Sequence, residues 1–273
     1  MANFLPRLRS ATDATICQYR TGYNPTVARL PEFFEERGYQ NPGDAYDGVF
    51  QYAHNTKQHR FDWTASRPRD QKAFNVLMTM ARRNESARWF DYFPVEEKLR
   101  VENASEVAIV DIGGGVGHDL IALQNAHPAL QGKFVLEDLS VVVSSVKELP
   151  QGIEALAHDM FTPQPVKSAK AYFLRNVLHD WPDMQASIVL KHICEAMDAH
   201  SLLLISEALM PEENVPYYNV VADFSMMVNY SSLDRTEAQF KQLIEACGFE
   251  LVKVWKPEMF RTGNAVLFEA RKK

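Results

Sequence analysis

The sequence has few cysteines and no long apolar run. Its 273 residues include only Cys17, Cys194 and Cys247, which lie far apart in the chain. None belongs to a Cys-x-x-Cys pair or to the Cys/His spacing of zinc sites, so we expect neither a disulfide framework nor a bound metal. No apolar stretch approaches the roughly 20 residues that span a bilayer. The opening MANFLPRLRSATDATICQYR also lacks the apolar core of a secretion signal, so we expect a cytoplasmic protein without a membrane partner.

Positive charge is also not in excess. The chain carries 29 Lys and Arg against 35 Asp and Glu, for a formal net charge of -6. The basic residues are scattered, apart from the short runs at 82–83 and 271–273. A nucleic-acid partner is therefore not expected. The hydrophobic share of 46% and the charged share of 23% are typical of a protein with a packed core.

The first hundred residues differ in pattern from the rest. They contain no clear buried strand, whereas Leu30–Arg37, Ala45–His54 and Gln71–Arg83 place apolar residues at helical spacing. We predict a helical N-terminal segment over residues 1–100 and a second, catalytic domain over residues 101–273.

From residue 106 onward, short apolar runs alternate with helical patterns. This alternation predicts an α/β fold of the Rossmann-like kind, in which helices cover both faces of a mostly parallel sheet. No helix is predicted between the last two runs, so they are expected to pair as antiparallel strands. The runs predict seven strands near 108–112, 133–138, 153–159, 170–178, 201–209, 249–255 and 265–270.

A glycine-rich loop, Val110 to Gly117, follows the first run and precedes a helix. Glycine lets the backbone turn sharply and approach a ligand closely. The GGGxG spacing fits the dinucleotide fingerprint poorly, and the Gly-Lys-Ser/Thr of a phosphate-binding loop is missing. Asp138 ends the second run about 20 residues farther on, where a carboxylate can bind ribose hydroxyls. Asp159 and Met160 close the third run, where they suit an adenine; tight turns and helix caps in another α/β protein are the alternative.

The fourth run ends in a more specific pattern, LRNVLHDWPD at 174–183. Together with LPEFFEERGYQNP, FNVLM, VDIGGGVGHD, HDMF, ISEALMP and LDRTEAQF, it resembles the plant and fungal small-molecule O-methyltransferases, especially the fungal secondary-metabolite branch. The resemblance runs from about Leu30 to the C-terminus. It implies a class I methyltransferase fold, S-adenosylmethionine (SAM) as cofactor, and methylation of a phenol or enol hydroxyl on an aromatic or polyketide-type metabolite.

The resemblance also implies roles for single residues. His179 matches the general base, and Glu207 and Asp234 match two acids that hold its imidazole. A strand-end role for Glu207 and a helix N-cap role for Asp234 stay open as alternatives. For Asp180 a turn or helix-capping role with Asp183 is expected, with a second catalytic role as the alternative, and Trp181 is expected to pack, with a substrate platform as the alternative. The residues expected around the cofactor are Asp111, Gly113, Gly115, Asp138, Leu139, Asp159, Met160, Phe161 and Arg175.

Two of these positions depart from the plant members of the family. Position 175 is commonly lysine there, and arginine keeps the charge but changes its geometry. The plant members usually carry glutamate at the position of Asp234. Aspartate is shorter, so a hydrogen bond from this position to His179 stays an open question.

The chemistry explains why a histidine is needed. A phenol resembles tyrosine, with a pKa of about 10, so forming phenolate unaided at neutral pH costs on the order of 4 kcal/mol. A histidine with a pKa of about 6.5 can take the proton as the oxygen attacks. A carboxylate on the other ring nitrogen fixes the tautomer and stabilises the imidazolium. No metal is required.

Apolar residues on two helices are candidates for the acceptor site. Phe74 and Met78 are one helical turn apart and share a face, and Met226 and Met227 lie on another helix. Methionines and aromatic rings suit a flat apolar acceptor, although ordinary core packing is the alternative.

Members of the family usually carry an N-terminal winged-helix dimerisation region. Only 112 residues precede Gly113, so this chain is expected to lack part of that region. We predict an exposed apolar patch, rimmed by Arg82 and Arg83, that supports a homodimer or binds the missing region. The aromatic residues that suggest this patch are Phe33, Phe34, Tyr39, Tyr46, Phe50, Tyr52, Phe61 and Trp63.

Two other functions stay open, because a fold does not determine a chemistry. One is a SAM-dependent pericyclase or isomerase that uses the sulfonium charge electrostatically. The other is an inactive binding module, against which His179, Glu207 and the glycine loop argue.

Overall fold

The computed structural model describes residues 11–83, 88–146, 148–258 and 265–273, without the side chains of residue 11 and residues 78–83. The chain forms two compact units. The first comprises Met1–Ser86 and Val220–Leu233, and the second comprises Ala87–Asn219 and Asp234–Lys273. The division into a segment of residues 1–100 and a catalytic domain of residues 101–273 stays a prediction.

The second unit contains a seven-stranded sheet in the order β3-β2-β1-β4-β5-β7-β6. Strands β1 to β5 pair in parallel, and β7 pairs antiparallel with both β5 and β6. The predicted α/β fold, with its antiparallel last strands, is therefore confirmed. The strands are β1 (Val107–Ile112), β2 (Lys133–Asp138), β3 (Ile153–Ala157), β4 (Ala171–Arg175), β5 (Leu202–Ala208), β6 (Phe249–Trp255) and β7 (Ala265–Lys272).

The central strands are apolar because both of their faces are covered. In β1, β4 and β5 every residue except one terminal one is buried. Helices lie between β1 and β2, between β2 and β3 and between β4 and β5, whereas β3 and β4 are connected by a segment without a helix. The helices of the second unit are α7 (Val95–Lys98), α8 (His118–Ala126), α9 (Ser140–Val143), α10 (Asp183–Ala196) and α12 (Glu237–Ala246), and α11 (Tyr217–Tyr230) begins in it.

The strand order sets where a ligand can bind. Strand β1 lies between β2 and β4, with Ile112 opposite Glu137 on one side and Leu174 on the other. From β1 the chain continues to β2 on one side, and from β4 it continues to β5 on the other side, so the strand order reverses between β1 and β4. The carboxyl ends of these two strands border a crevice of the kind that holds ligands in open α/β sheets.

A hydrophobic core packs against one part of this sheet. Trp89 lies against Phe173 of β4, with ring centroids 4.7 Å apart. The loop and helix before β1 thus cover the sheet with large buried side chains. The core includes Trp89, Phe90, Phe93, Val95, Leu99, Ile109, Leu120, Leu123, Phe134, Phe173, Leu204 and Leu267.

The first unit is helical in its described part. It contains α1 (Ala11–Gln18), a π-helical turn (Tyr19–Tyr23), α2 (Asn24–Ala28), α3 (Leu30–Arg37), α4 (Val49–His54), α5 (Arg60–Ala65) and α6 (Pro68–Arg83), and most of α11 belongs to it. No helix among the described residues is long and apolar enough to cross a membrane.

The predicted exposed patch of aromatic residues is wrong in part. Phe33, Phe50 and Trp63 are buried, because they pack on neighbouring rings of the first unit. The ring centroid of Phe50 lies 5.3 Å from that of Trp63. Tyr39 and Tyr46 are exposed, by 74% and 42%. The side chains of Arg82 and Arg83, the expected rim, lie outside the described residues.

A buried ion pair joins α7 to β7, and it offers a test of the fold. Glu269 is 0% exposed; its Oε1 accepts from Lys98 Nζ at 2.8 Å and its Oε2 from Trp255 Nε1 at 2.9 Å. Lys98→Met should lower the free energy of unfolding by about 3 kcal/mol, because it leaves a buried carboxylate without its cation. Urea denaturation followed by circular dichroism measures this.

The matched control is Lys133→Met. Lys133 pairs with Glu154 at 3.0 Å, but the two side chains are 44% and 61% exposed. Its removal should change stability by less than about 1 kcal/mol, because solvent screens exposed pairs. Equal effects of the two substitutions would show that the Lys98–Glu269 pair is not a buried contact in solution.

Candidate active site

The predicted site residues of the second unit lie in or just after the last residues of β1 to β5, except Asp234, which lies shortly before α12. Because parallel strands end at the same edge, residues that are far apart in sequence meet there. Arg175 at the end of β4 is opposite Ser206 in β5, so Glu207 lies one residue beyond the last pair.

The glycine loop after β1 lies against the end of β2. The N–H groups of Gly113 and Gly114 both donate to the Glu137 carbonyl, at 2.8 and 3.1 Å. Gly113 has a φ of +72°, which favours glycine. A Cβ at Gly114 would lie 2.5 Å from both Asp111 Oδ2 and Leu136 Cδ1. The loop therefore needs glycine both for its turn and for its close approach to β2.

Asp138 is tied to this loop. Its Oδ2 accepts from Gly115 N at 2.8 Å, and its Oδ1 accepts from Leu139 N at 2.7 Å. Each carboxylate oxygen has a further lone pair, so the fixed side chain can accept additional hydrogen bonds. Leu139 itself is 47% exposed.

The segment after β3 continues the same edge. His158 N donates to the Asp138 carbonyl at 2.9 Å, and Asp159 Oδ1 accepts from Phe161 N at 3.0 Å. Asp159 is exposed, and Met160 is half-buried. Phe161 packs edge-on against Trp181, with centroids 4.5 Å apart. Trp181 is 6% exposed, which agrees with its expected packing role.

A buried polar cluster behind Asp138 was missed by the sequence reasoning. Glu137 is 1% exposed, and its Oε2 lies 3.0 Å from His158 Nδ1 and accepts from Gln164 Nε2 at 2.8 Å. Burial raises the pKa of Glu137, while Gln164 and His158 act in the opposite direction. The acidic dipeptide Glu137-Asp138 was visible in the sequence, but the partners of its first residue were not.

Arg175 is held by a carboxylate that was also missed. Its Nη1 donates to Asp119 Oδ1, and the Asp119 side chain is 9% exposed. Asp119 lies in the first turn of α8, directly after the glycine loop. The arginine expected at the cofactor is thus anchored to the helix that the loop introduces.

His179 lies on a short 3-10 turn, Leu178–Asp180, that follows β4. Each of its ring nitrogens faces a carboxylate. Nδ1 is 3.7 Å from Asp234 Oδ1, and Nε2 is 3.7 Å from Asp180 Oδ1. Asp180 lies in the turn, as expected, but the helix-capping role is wrong, because Pro182 is the N-cap of α10 and no side-chain hydrogen bond caps that helix.

Glu207 holds the backbone that carries His179. It is 1% exposed, and its Oε1 accepts from the N–H groups of Val177 and Leu178, both at 2.9 Å. Burial raises the pKa of Glu207, against the lowering effects of His179, these two N–H groups and Arg235.

Asp234 is not the N-cap of α12. That helix is capped by Thr236, whose Oγ1 accepts from Gln239 N at 3.2 Å, and Gln239 Oε1 accepts from Thr236 N at 2.8 Å. The side chain of Asp234 is therefore left to face His179.

The carboxylates set the protonation of His179. Burial lowers the pKa of His179, but the negative charges of Asp180, Glu207 and Asp234 outweigh it and raise the pKa to about 10. Burial raises the pKa of Asp180 to about 6, and the two other carboxylates act in the same direction against His179. The group is thus an imidazole whose proton is strongly held by surrounding negative charge.

The residues expected at the acceptor lie in the first unit. Phe74 is half-buried and contacts Phe61, with centroids 5.7 Å apart. Met226 and Met227 are half-buried residues of α11. The side chain of Met78 lies outside the described residues. Their acceptor role stays a prediction.

Known proteins were compared with this chain. A family model for the O-methyltransferase domain matches residues 43–250. The demethylsterigmatocystin 6-O-methyltransferase of Aspergillus flavus is 35% identical over 230 residues, which are 84% of this chain and 58% of that protein. The chain spans about three fifths of the length of the curated relatives it matches.

Solved structures agree with this result. LepI in complex with SAM has a TM-score of 0.86 and 33% identity, over 96% of this chain and 67% of the other. A structure described as a pericyclic reaction enzyme has the same TM-score and identity, over 96% of this chain and 68% of the other.

Titration of His179 tests the electrostatics of the site. In the ligand-free protein we expect its pKa well above 6.5, and Asp180→Asn should lower it, because Asp180 contributes the largest raising effect. Since folding raises this pKa, the stabilisation is present below about pH 6.5 and is lost as the pH rises through about 10. The imidazole proton shifts in NMR spectra measure the titration.

Glu250→Gln is the control, because Glu250 is exposed on β6 and does not face His179. It should leave the titration unchanged. A wild-type His179 that titrates at or below 6.5 would contradict the described carboxylate arrangement.

Proposed function

Because this chain belongs to the family of O-methyltransferase domains, we propose that it binds SAM and transfers a methyl group to a hydroxyl oxygen of a small aromatic or polyketide-type molecule. The observation that carries this proposal is the environment of His179, which has Asp234 at one ring nitrogen and Asp180 at the other. His179 follows β4, and β4 is the neighbour of β1, after which the glycine loop comes.

The glycine loop and its neighbours fit the cofactor. Gly113 and Gly114 bond to the backbone of β2, no Cβ fits at Gly114, and Gly115 is fixed to Asp138. We assign the ribose to Asp138, where a carboxylate can accept from two hydroxyls. The adenine is assigned to Asp159, Met160 and Phe161, and the remaining cofactor residues to Asp111, Gly113, Leu139 and Arg175.

When bound, SAM supplies a methyl carbon that its sulfonium charge has already activated. The protein must then align the acceptor oxygen and remove its proton. His179 is the base, and its raised pKa of about 10 is close to that of a phenol. Proton transfer from a phenol to neutral His179 therefore costs little free energy, and the neutral form of His179 becomes more abundant as the pH rises.

The three carboxylates have different tasks. Asp234 faces Nδ1 and stabilises the imidazolium that forms, as a carboxylate does for other catalytic histidines. Glu207 acts through the turn, by accepting from the backbone before His179. Asp180 faces Nε2, so it competes with the acceptor for that nitrogen and adds to the proton affinity of the ring.

A second candidate function is a pericyclic or isomerisation reaction that needs SAM only for its charge. The similarity to a pericyclic reaction enzyme at 33% identity favours keeping it. Such a reaction needs no proton acceptor for a hydroxyl. The His179 site therefore favours methyl transfer, and retention of the SAM methyl group during turnover would favour the alternative.

Calorimetry tests the cofactor assignment. We expect SAM to bind with a Kd in the micromolar range, about -8 kcal/mol. Asp138→Ala should weaken binding about 10-fold to 100-fold, because hydrogen bonds to a charged group are lost. Glu154→Ala, at an exposed position of β3, is the control and should bind as the wild type does. Folded protein that binds NAD but not SAM would contradict the proposal.

His179→Ala tests the base. Turnover with a phenolic acceptor found by screening should fall by about 10²-fold or more, while the Kd for SAM stays nearly unchanged. In the wild type, kcat/KM should rise with pH along a limb above 6.5, because His179 must lose its proton first. Steady-state assays between pH 6 and 10.5 measure both effects.

His200→Ala is the matched control, because His200 is exposed and lies after α10. It should leave the rate and the pH limb unchanged. If His179→Ala keeps most of the activity, the base lies elsewhere or alignment alone suffices.

A further inference from the structure

We propose that Arg235 is a positioning residue for His179: its guanidinium fixes the turn on which the imidazole stands. The inference rests on the proposed role of His179 as base. Arg235 donates through Nη1 to the Leu178 carbonyl at 2.8 Å and through Nη2 to the Trp181 carbonyl at 2.7 Å. These two carbonyls bracket His179 and Asp180 in the chain.

The turn is held from two sides at the same residue. Leu178 N donates to Glu207 Oε1 at 2.9 Å, and Leu178 O accepts from Arg235. The peptide groups on both sides of the Leu178 Cα are thus bound by buried charged side chains. Such double anchoring fixes the direction of the residue that follows, which is His179.

The two hydrogen bonds from Arg235 to the Leu178 and Trp181 carbonyls are called the clamp below. The segment that supplies this clamp also supplies the acid that faces His179. Arg235 follows Asp234, whose carboxylate faces His179 Nδ1 at 3.7 Å. Because adjacent residues bind the turn and face the ring, the distance between Asp234 and His179 cannot vary independently of the clamp. Arg235 therefore sets both the orientation of the imidazole and the position of its carboxylate partner.

Burial of Arg235 is costly, which argues for a role beyond stability. The residue is 1% exposed, and its one ion-pair partner among the described residues, Asp183, is 69% exposed. A buried ion pair replaced as a whole by apolar side chains often leaves stability unchanged, so stability alone does not require an arginine here. The planar fork of arginine, however, can reach two carbonyls in fixed geometry, and a lysine cannot.

Two substitutions test the clamp. Arg235→Lys keeps the charge but loses the fork, and Arg235→Met keeps a similar volume but removes the charge and both carbonyl bonds. Circular dichroism of each variant shows whether it is folded before its activity is compared. Because 1 Å of misplacement can cost about 10²-fold, we expect either variant to lower kcat by about 10-fold or more, with the Kd for SAM within about two-fold.

A pH readout separates positioning from a merely structural role. Asp180, Glu207 and Asp234 are the carboxylates whose charge acts on His179, and a loose turn should weaken their hold on its proton. The pKa of His179, measured by NMR in the ligand-free variants, should therefore move toward 6.5. A structural role alone would lower Tm and leave that titration in place.

Two further variants complete the design. Arg100→Lys, at an exposed position, is the matched control and should change neither kcat nor the titration. Asp183→Asn removes the ion pair but leaves both carbonyl bonds, so its effect should be much smaller than that of Arg235→Lys. An equal effect of Asp183→Asn would assign the positioning to the ion pair and overturn the clamp.

The outcomes for this inference and for the proposed function are distinguishable. Folded Arg235→Lys or Arg235→Met protein with wild-type kcat and wild-type His179 titration would overturn the clamp alone. Full activity of His179→Ala would overturn the base, while the titration of His179 in ligand-free protein would still test the clamp.

Discussion

Two carboxylates, Asp180 and Asp234, face one imidazole at the carboxyl edge of the sheet, and the charge of a third, Glu207, also acts on it while its side chain holds the backbone before the ring. Burying carboxylates costs free energy: burial raises the pKa values of Asp180 and Glu207, and the charges of Glu207 and Asp234 raise that of Asp180 further. The cost is reduced by backbone N–H groups, by the charge of His179 and by Arg235. The fold contributes the β4–β5 pairing, which brings Glu207 next to the turn after β4.

The same edge supports two different tasks. On the β2 side of the crevice, the glycine loop and Asp138 are bound to each other and form the proposed nucleoside site. On the β5 side, charged side chains face His179, the proposed proton acceptor. The topology of the sheet puts these tasks next to each other, because β1 and β4 are neighbours although about 60 residues separate them.

Local sequence patterns were sufficient for much of the fold. The bounds of β2 and β6 match the predicted apolar runs, because buried parallel strands and edge strands are both bounded here by turn residues. Leu30–Arg37 is the helix predicted from its periodicity, and it ends at Gly38 in the left-handed conformation. The glycine loop and the motif around His179 were visible for the same local reason.

Contacts between distant residues could not be predicted in this way. Asp180 was assigned to a turn because an aspartate before a helix is often a cap, and only the three-dimensional arrangement shows it facing His179. Arg235 and Leu178 are 57 positions apart, and Arg175 and Asp119 are 56 apart. Burial of Phe50 and Trp63 likewise depends on packing between helices.

The fate of the SAM methyl group tests the central claim most directly, because the same fold accommodates a pericyclic reaction enzyme. The measurement is mass spectrometry of products formed with SAM that carries a ¹³C-labelled methyl group and a panel of phenolic acceptors. The account predicts one labelled methyl on oxygen and one S-adenosylhomocysteine for each product molecule. A rearranged product without label, formed while SAM is left intact, would contradict it.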